Sequence, residues 1–195
     1  MKIAGIGSRK APESVCKQLS TITHRLVLKG HRIVSGNAEG ADFACQSGAH
    51  FALLENNIYI PNKANEIILP VRGFNQARLS HLMTGDYKLA SNSSHYDQAI
   101  KIARETHAIG NNLKGFALKA HARNVFQIFG FEMDDKVDMV ICWTPDGAQH
   151  YSEVTKDTGG TGTAIILASK DDIPVLNIAN EHSLQQVANF LNRME

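Results

Sequence analysis

The sequence has no excess of positive charge: 20 Lys and Arg residues face 19 Asp and Glu, for a formal net charge of +1. A protein held on nucleic acid by counterion release over a broad face shows a clear basic excess. That mode is not indicated, and a local basic patch is the route to DNA that stays open. Cysteine is scarce. Cys16, Cys45 and Cys142 are odd in number, far apart and set in apolar segments, which argues against a disulfide framework or a CxxC metal site and for buried thiols. No apolar run nears the roughly 20 residues that a bilayer crossing takes, and no apolar signal region follows the first two residues. The expectation is a reduced, cytoplasmic protein that engages no membrane. None of the nine histidines stands in an HExxH or other paired ligand pattern, so no metal site is read. A Gly-x-Ser-x-Gly elbow is missing too, which disfavours a serine hydrolase. No cofactor is implied.

What is present is alternation. The 195 residues suit one domain over the whole chain, and 43% hydrophobic content suffices for a real core. Lys2–Ile6 is a short apolar run stopped by Gly7, as in a buried parallel strand. Pro12 and Glu13 open a helix with Val15, Leu19, Ile22 and Leu26 on one face, and Gly30 closes it. His31–Val34 reads as a second strand, Ala41 to Leu54 as a second helix, and Ile58–Ile60, before Pro61, as a third strand. The pattern resumes with a strand at Val137–Trp143, a helix at Ala164–Ser169, a strand at Pro174–Ile178 and a helix at Glu181–Arg193. Between about Asn62 and Lys136 the alternation is lost. Gln98–Glu105 and Lys114–Phe129 look helical, and the expectation there is helices and loops lying over the sheet, with an insertion at about 62–121. The fold class is α/β: a Rossmann-like parallel sheet flanked by helices.

In such a sheet, ligands sit beyond the carboxyl ends of the strands. Three turns there are rich in Gly, Ser and Thr. The first runs Gly5-Ile6-Gly7-Ser8-Arg9-Lys10. Gly7 lets the backbone approach a ligand, Ser8 can donate a hydrogen bond, and Arg9 can fork onto phosphate. Lys10 stands where a dinucleotide fingerprint has its third glycine, so that motif is not met. The second turn is Ser35-Gly36-Asn37-Ala38-Glu39-Gly40-Ala41-Asp42. Ser35, Gly36 and Asn37 bring amides near a ligand, while Glu39 and Asp42 can accept from ribose hydroxyls or act at a sugar carbon. Asp42 has a second reading, as the brace of a helix N-terminus. The third turn, Asp157-Thr158-Gly159-Gly160-Thr161-Gly162-Thr163, follows a strand and opens a helix, where free N–H groups and the helix dipole favour an anion. Gly159, Gly160, Thr161, Gly162 and Thr163 are its candidates. No Lys follows, so it is not a Walker A loop.

Arg123-Asn124, within a helical segment, presents a guanidinium either to phosphate or to solvent. Trp143, at a strand end, either stacks on a base or packs.

Taken together, Gly5-Ile6-Gly7-Ser8-Arg9, Ser35 to Asp42, Arg123-Asn124 and Gly159 to Thr163 resemble, in order, the motifs of one superfamily. It joins the Rossmann domain of DNA-processing protein A, the "lonely guy" phosphoribohydrolases and the SLOG nucleotide-sensor domains. The resemblance implies a Rossmann-like fold, a homo-oligomer, and a pocket for a nucleotide or nucleotide-derived signal. The short chain with an insertion between motifs fits a phage or mobile-element member. Two departures stand out. Where the phosphoribohydrolases have a Pro and a catalytic Glu, this chain has Thr158 and Ile166, which leaves Glu39 or Asp42 as the carboxylates for any cleavage of an N-glycosidic bond. Where the DNA-processing proteins commonly have an Arg, it has Glu39.

Three functions follow. The leading expectation is binding of a phosphorylated nucleotide, or an ADP-ribose-like or cyclic derivative, for sensing or sequestration. The others are an enzyme acting at the anomeric carbon of a nucleotide, and a single-stranded-DNA-binding recombination accessory.

Overall fold

The structure, a computed structural model, describes residues 1–55, 64–79, 86–108 and 110–193. In chain order its elements are β1 (Lys2–Gly7), α1 (Glu13–Leu28), β2 (Arg32–Ser35), α2 (Ala41–Glu55), β3 (Asn65–Leu69), α3 (Gln76–Leu79), β4 (Asp86–Leu89), α4 (Tyr96–Thr106), α5 (Gly115–Phe129), β5 (Met139–Trp143), α6 (Gly162–Lys170), β6 (Val175–Asn177) and α7 (Glu181–Asn192). The strands form one six-stranded sheet in the order β4-β3-β2-β1-β5-β6. Every pairing is parallel, with Ile3 beside both Ile33 and Met139. This is the Rossmann-like α/β fold.

Period-two alternation in the strands feeds two cores. Ile3, Ile33 and Ile141 face α1, α2 and α7, against Leu19, Leu26, Ala49 and Leu191. Ala4, Val34, Val140 and Cys142 face the other way, against Ala122, Phe126 and Ile165 of α5 and α6. The face expected on α1 is the buried one: Leu19, Ile22 and Leu26 are buried, and Val15 packs beside them. Gly30 takes φ +80° just past the helix. The His31 N–H then reaches Leu26 O at 3.0 Å and the Gly30 N–H reaches Val27 O at 2.9 Å, a Schellman closure that a Cβ would strain. Burial pushes the thiols of Cys45 and Cys142 upward, and all three cysteines are free. No described helix is long and apolar enough to cross a membrane.

The middle of the chain corrects the expectation of helices and loops alone. It supplies two of the six strands, β3 and β4. The reason is electrostatic. Glu66 of β3 is 4% exposed and takes Lys88 of β4 at 3.1 Å, with Lys2 at 4.0 Å and Arg32 at 3.7 Å. Charged residues that read as loop composition are here paired across the sheet, with cations from β1, β2 and β4, as buried charge must be. The strand expected at Ile58–Ile60 lies outside the described residues.

Candidate functional site

A cavity of about 720 Å³ opens at the carboxyl ends of β1 and β5. The sheet grows from β1 through β2 in one direction and through β5 to β6 in the other, so this is the topological switch point where an open parallel sheet leaves a crevice. Gly7, Ser8 and Arg9 of the first turn line it, with Asp42, Arg123, Asn124 and Gly159 to Thr161. All three glycine-rich turns therefore reach it, the second only through Ala38 and Asp42.

The geometry of the first turn is held from inside. The Gly7 N–H donates to Asp42 Oδ1 at 3.0 Å, the Ser8 N–H to Trp143 O at 2.9 Å, and the Lys10 N–H to Ser8 Oγ at 3.1 Å. Arg9 and Lys10 are exposed at the rim. Beneath them, Arg123 Nη1 donates to Asp42 Oδ2 at 3.1 Å, and both side chains are almost fully buried. Burial pushes the Asp42 carboxyl up, against the pull of Arg123 and of the Gly7 N–H. Gly36 makes room for this pair: a Cβ there would lie 1.1 Å from Arg123 Nη1. The guanidinium Nε is buried without a hydrogen-bond partner among the described residues.

The third turn is braced by its neighbours. Asp146 accepts from Thr155 Oγ1 at 2.7 Å and from Thr158 Oγ1. Burial would raise its carboxyl, and these hydroxyls outweigh that and hold it below the ordinary range. Asn124 Nδ2 donates to Gly160 O at 2.9 Å. Thr163 Oγ1 meets His121 Nδ1 at 2.7 Å. His121, which lines the cavity, is pushed down to about 4 by burial, with the nearby His107 and Arg123 adding to it.

The remaining sequence candidates sit outside the cavity lining. Ser35 Oγ donates to Asp42 O at 2.9 Å. Asn37 is fully buried, its Oδ1 accepting from Gln46 Nε2 at 2.7 Å and its Nδ2 donating to Phe74 O at 2.9 Å. Glu39 is exposed. Trp143 packs against the α1/α2/α7 core, and the Gly162 N–H bonds Gly159 O. Sequence reading missed other lining residues: Lys10, Lys156, His121, and the rings of Phe74 and Phe116. Their residue types carry no motif. Only the fold brings them to one mouth. Among the described residues, no group of three or more His, Cys, Asp or Glu side chains is placed to hold a metal.

No protein-family model matches the sequence, and no curated protein matches it. Among solved structures, that of DNA processing protein A from Helicobacter pylori, a study of its single-stranded DNA binding mode, is similar. It aligns with a TM-score of 0.58 and 18% identity over 100% of this chain and 80% of that one. The two share a fold.

Proposed function

We propose that the chain binds single-stranded DNA by gripping backbone phosphate in the switch-point cavity. One observation carries this: Arg9, Lys10 and Lys156 stand together on a cavity lined by Gly159, Gly160 and Thr161 at the entrance to α6. The chain as a whole is nearly neutral, yet this cavity sets Arg9, Lys10 and Lys156 against Asp157, while its other carboxylate, Asp42, is paired with Arg123. Helix entrances and flexible cations are the groups that hold phosphate. The fold shared with a protein whose single-stranded DNA binding has been described supports the same reading. Asp42 acts here as the internal brace of Gly7 and Arg123, not as a nucleophile.

Fluorescence anisotropy with a labelled single-stranded oligonucleotide tests it. If each of the three cations displaces one counterion, the slope of log affinity on log salt is about −2, or about a twentyfold loss between 50 and 200 mM salt. Binding that ignores salt, or a slope unchanged in an Arg9→Ala, Lys10→Ala, Lys156→Ala variant, overturns the proposal.

A second reading rests on the cavity's size. Its volume of about 720 Å³ falls within the range of small-ligand pockets, which fits a free phosphorylated nucleotide or a nucleotide-derived signal bound for sensing or sequestration. A ligand at 100 times its dissociation constant adds about 2.7 kcal/mol of stability. A thermal-shift series with nucleoside monophosphates, ADP-ribose and cyclic nucleotides showing no stabilisation refutes this second reading.

A further inference from the structure

The cavity has an aromatic wall as well as a cationic rim. Phe74 comes from the loop after β3 and Phe116 from the first turn of α5, and both line the cavity. Their ring centroids are 5.5 Å apart, with the planes tilted by 35°. Phe116 is 49% exposed, which leaves much of a large apolar ring in water at the mouth of a cleft. The loop carrying Phe74 is fixed in advance. Asn37 Nδ2 donates to the carbonyls of Phe74 at 2.9 Å and Asn75 at 3.3 Å, and Asn75 Nδ2 returns a bond to Asn37 O at 2.7 Å. Gln46 anchors Asn37 in turn, at 2.7 Å. A ring so held can receive a flat ligand with little ordering cost.

Resting on the reading that the cavity holds a nucleotide's phosphate, we propose that Phe74 and Phe116 form a stacking platform for one nucleobase of the same ligand. The base lies against the rings while its phosphate meets Arg9 and Lys156. Stacking on an aromatic face tolerates any base, because every base has a π-face. The platform therefore demands that a base be present without selecting which one.

The decisive comparison is base against no base, in strand and in monomer. A single-stranded oligonucleotide and its abasic counterpart are titrated alongside dAMP and 2-deoxyribose 5-phosphate. Wild-type protein, Phe116→Ala and Phe116→Trp are compared, with thermal denaturation of each as a control. Phe116 is chosen because, unlike Phe74, it is half exposed and its truncation spares the packing on Ile67 and Leu69. The expected result is roughly a tenfold advantage of the base-bearing ligand, lost in Phe116→Ala and restored in Phe116→Trp. Equal affinity for base-bearing and abasic ligands, or an advantage that survives Phe116→Ala, overturns the platform even where DNA binds. If dAMP shows the advantage and oligonucleotides do not bind, the platform stands and the DNA reading falls. If none of the four ligands binds, both fall.

Discussion

Replacing Asp42 tests whether its carboxylate braces the site or reacts in it. In Asp42→Ala, the Arg123 guanidinium, 6% exposed, keeps its charge and loses the Oδ2 acceptor at 3.1 Å, and the Gly7 N–H loses its acceptor at 3.0 Å. Breaking a buried pair by removing one partner costs about 3–5 kcal/mol. For a domain of this size that lowers Tm by about 6–20 °C. Asp42→Asn keeps an acceptor for Gly7 without the charge and is expected to fall between wild type and Asp42→Ala. Arg123→Met behaves differently, because the carboxyl left behind can take a proton and a guanidinium cannot lose one. Burial already pushes Asp42 upward. Without Arg123 its folded value rises further, so Arg123→Met is less destabilised at pH 5 and loses stability as pH rises. The double variant Asp42→Ala, Arg123→Met removes both charges and recovers most of the loss. Urea denaturation of wild type and the four variants at pH 5 and pH 8 measures all of this. A cost below about 1 kcal/mol for Asp42→Ala, the level of an exposed ion pair, or a double variant as damaged as the sum of the singles, refutes the brace.

Other outcomes follow from the same geometry. His121 sits near 4 instead of 6.5, so the unfolded chain takes up its proton first and stability falls as pH drops from about 6.5 towards 4. The size is roughly 3 kcal/mol, read as the acid limb of urea midpoints, and a His121→Gln variant that keeps this limb counts against the assignment. Gly36→Ala places a Cβ 1.1 Å from Arg123 Nη1; overpacking of about 1–3 kcal/mol is expected, and it should shrink in the Arg123→Met background. Asp146→Ala frees Thr155 and Thr158 and should raise amide exchange across residues 155–161, with exchange in β1 unchanged; protection as in wild type would show that the turn needs no such brace.

The strands and helices near the two ends of the chain were legible because their signals are local. β1 and β5 read as apolar runs, and α1 announced itself by Pro12, one buried face and Gly30. β3 and β4 were not legible, since Asn65-Glu66 and Asp86-Tyr87-Lys88 are polar stretches of sequence whose backbones nonetheless pair in the sheet. Glu66 reads as a solvated charge until Lys2, Arg32 and Lys88 are brought around it from three other segments. Burial of charge is decided by partners distant in sequence, and no window of sequence contains them.

The site divides along the same line. The glycine-rich turns could be found from composition, but much of what they do is internal. Gly36 clears space for Arg123, Ser35 holds the backbone of Asp42, and Asn37 holds the Phe74 loop. Asp42 and Arg123, 81 positions apart, spend their charges on each other. An anion arriving at the cavity therefore meets few donors from the second turn. It meets Arg9, Lys10 and Lys156, and the ring of Phe116 lines the same cavity. A lysine or phenylalanine in a loop has no signature of its own, because exposed cations and rings are common on any surface. What singles these out is that the rigid, self-satisfied turns hold them around one opening. Substitutions in the turns should therefore act first on stability, and substitutions at the rim first on ligand affinity.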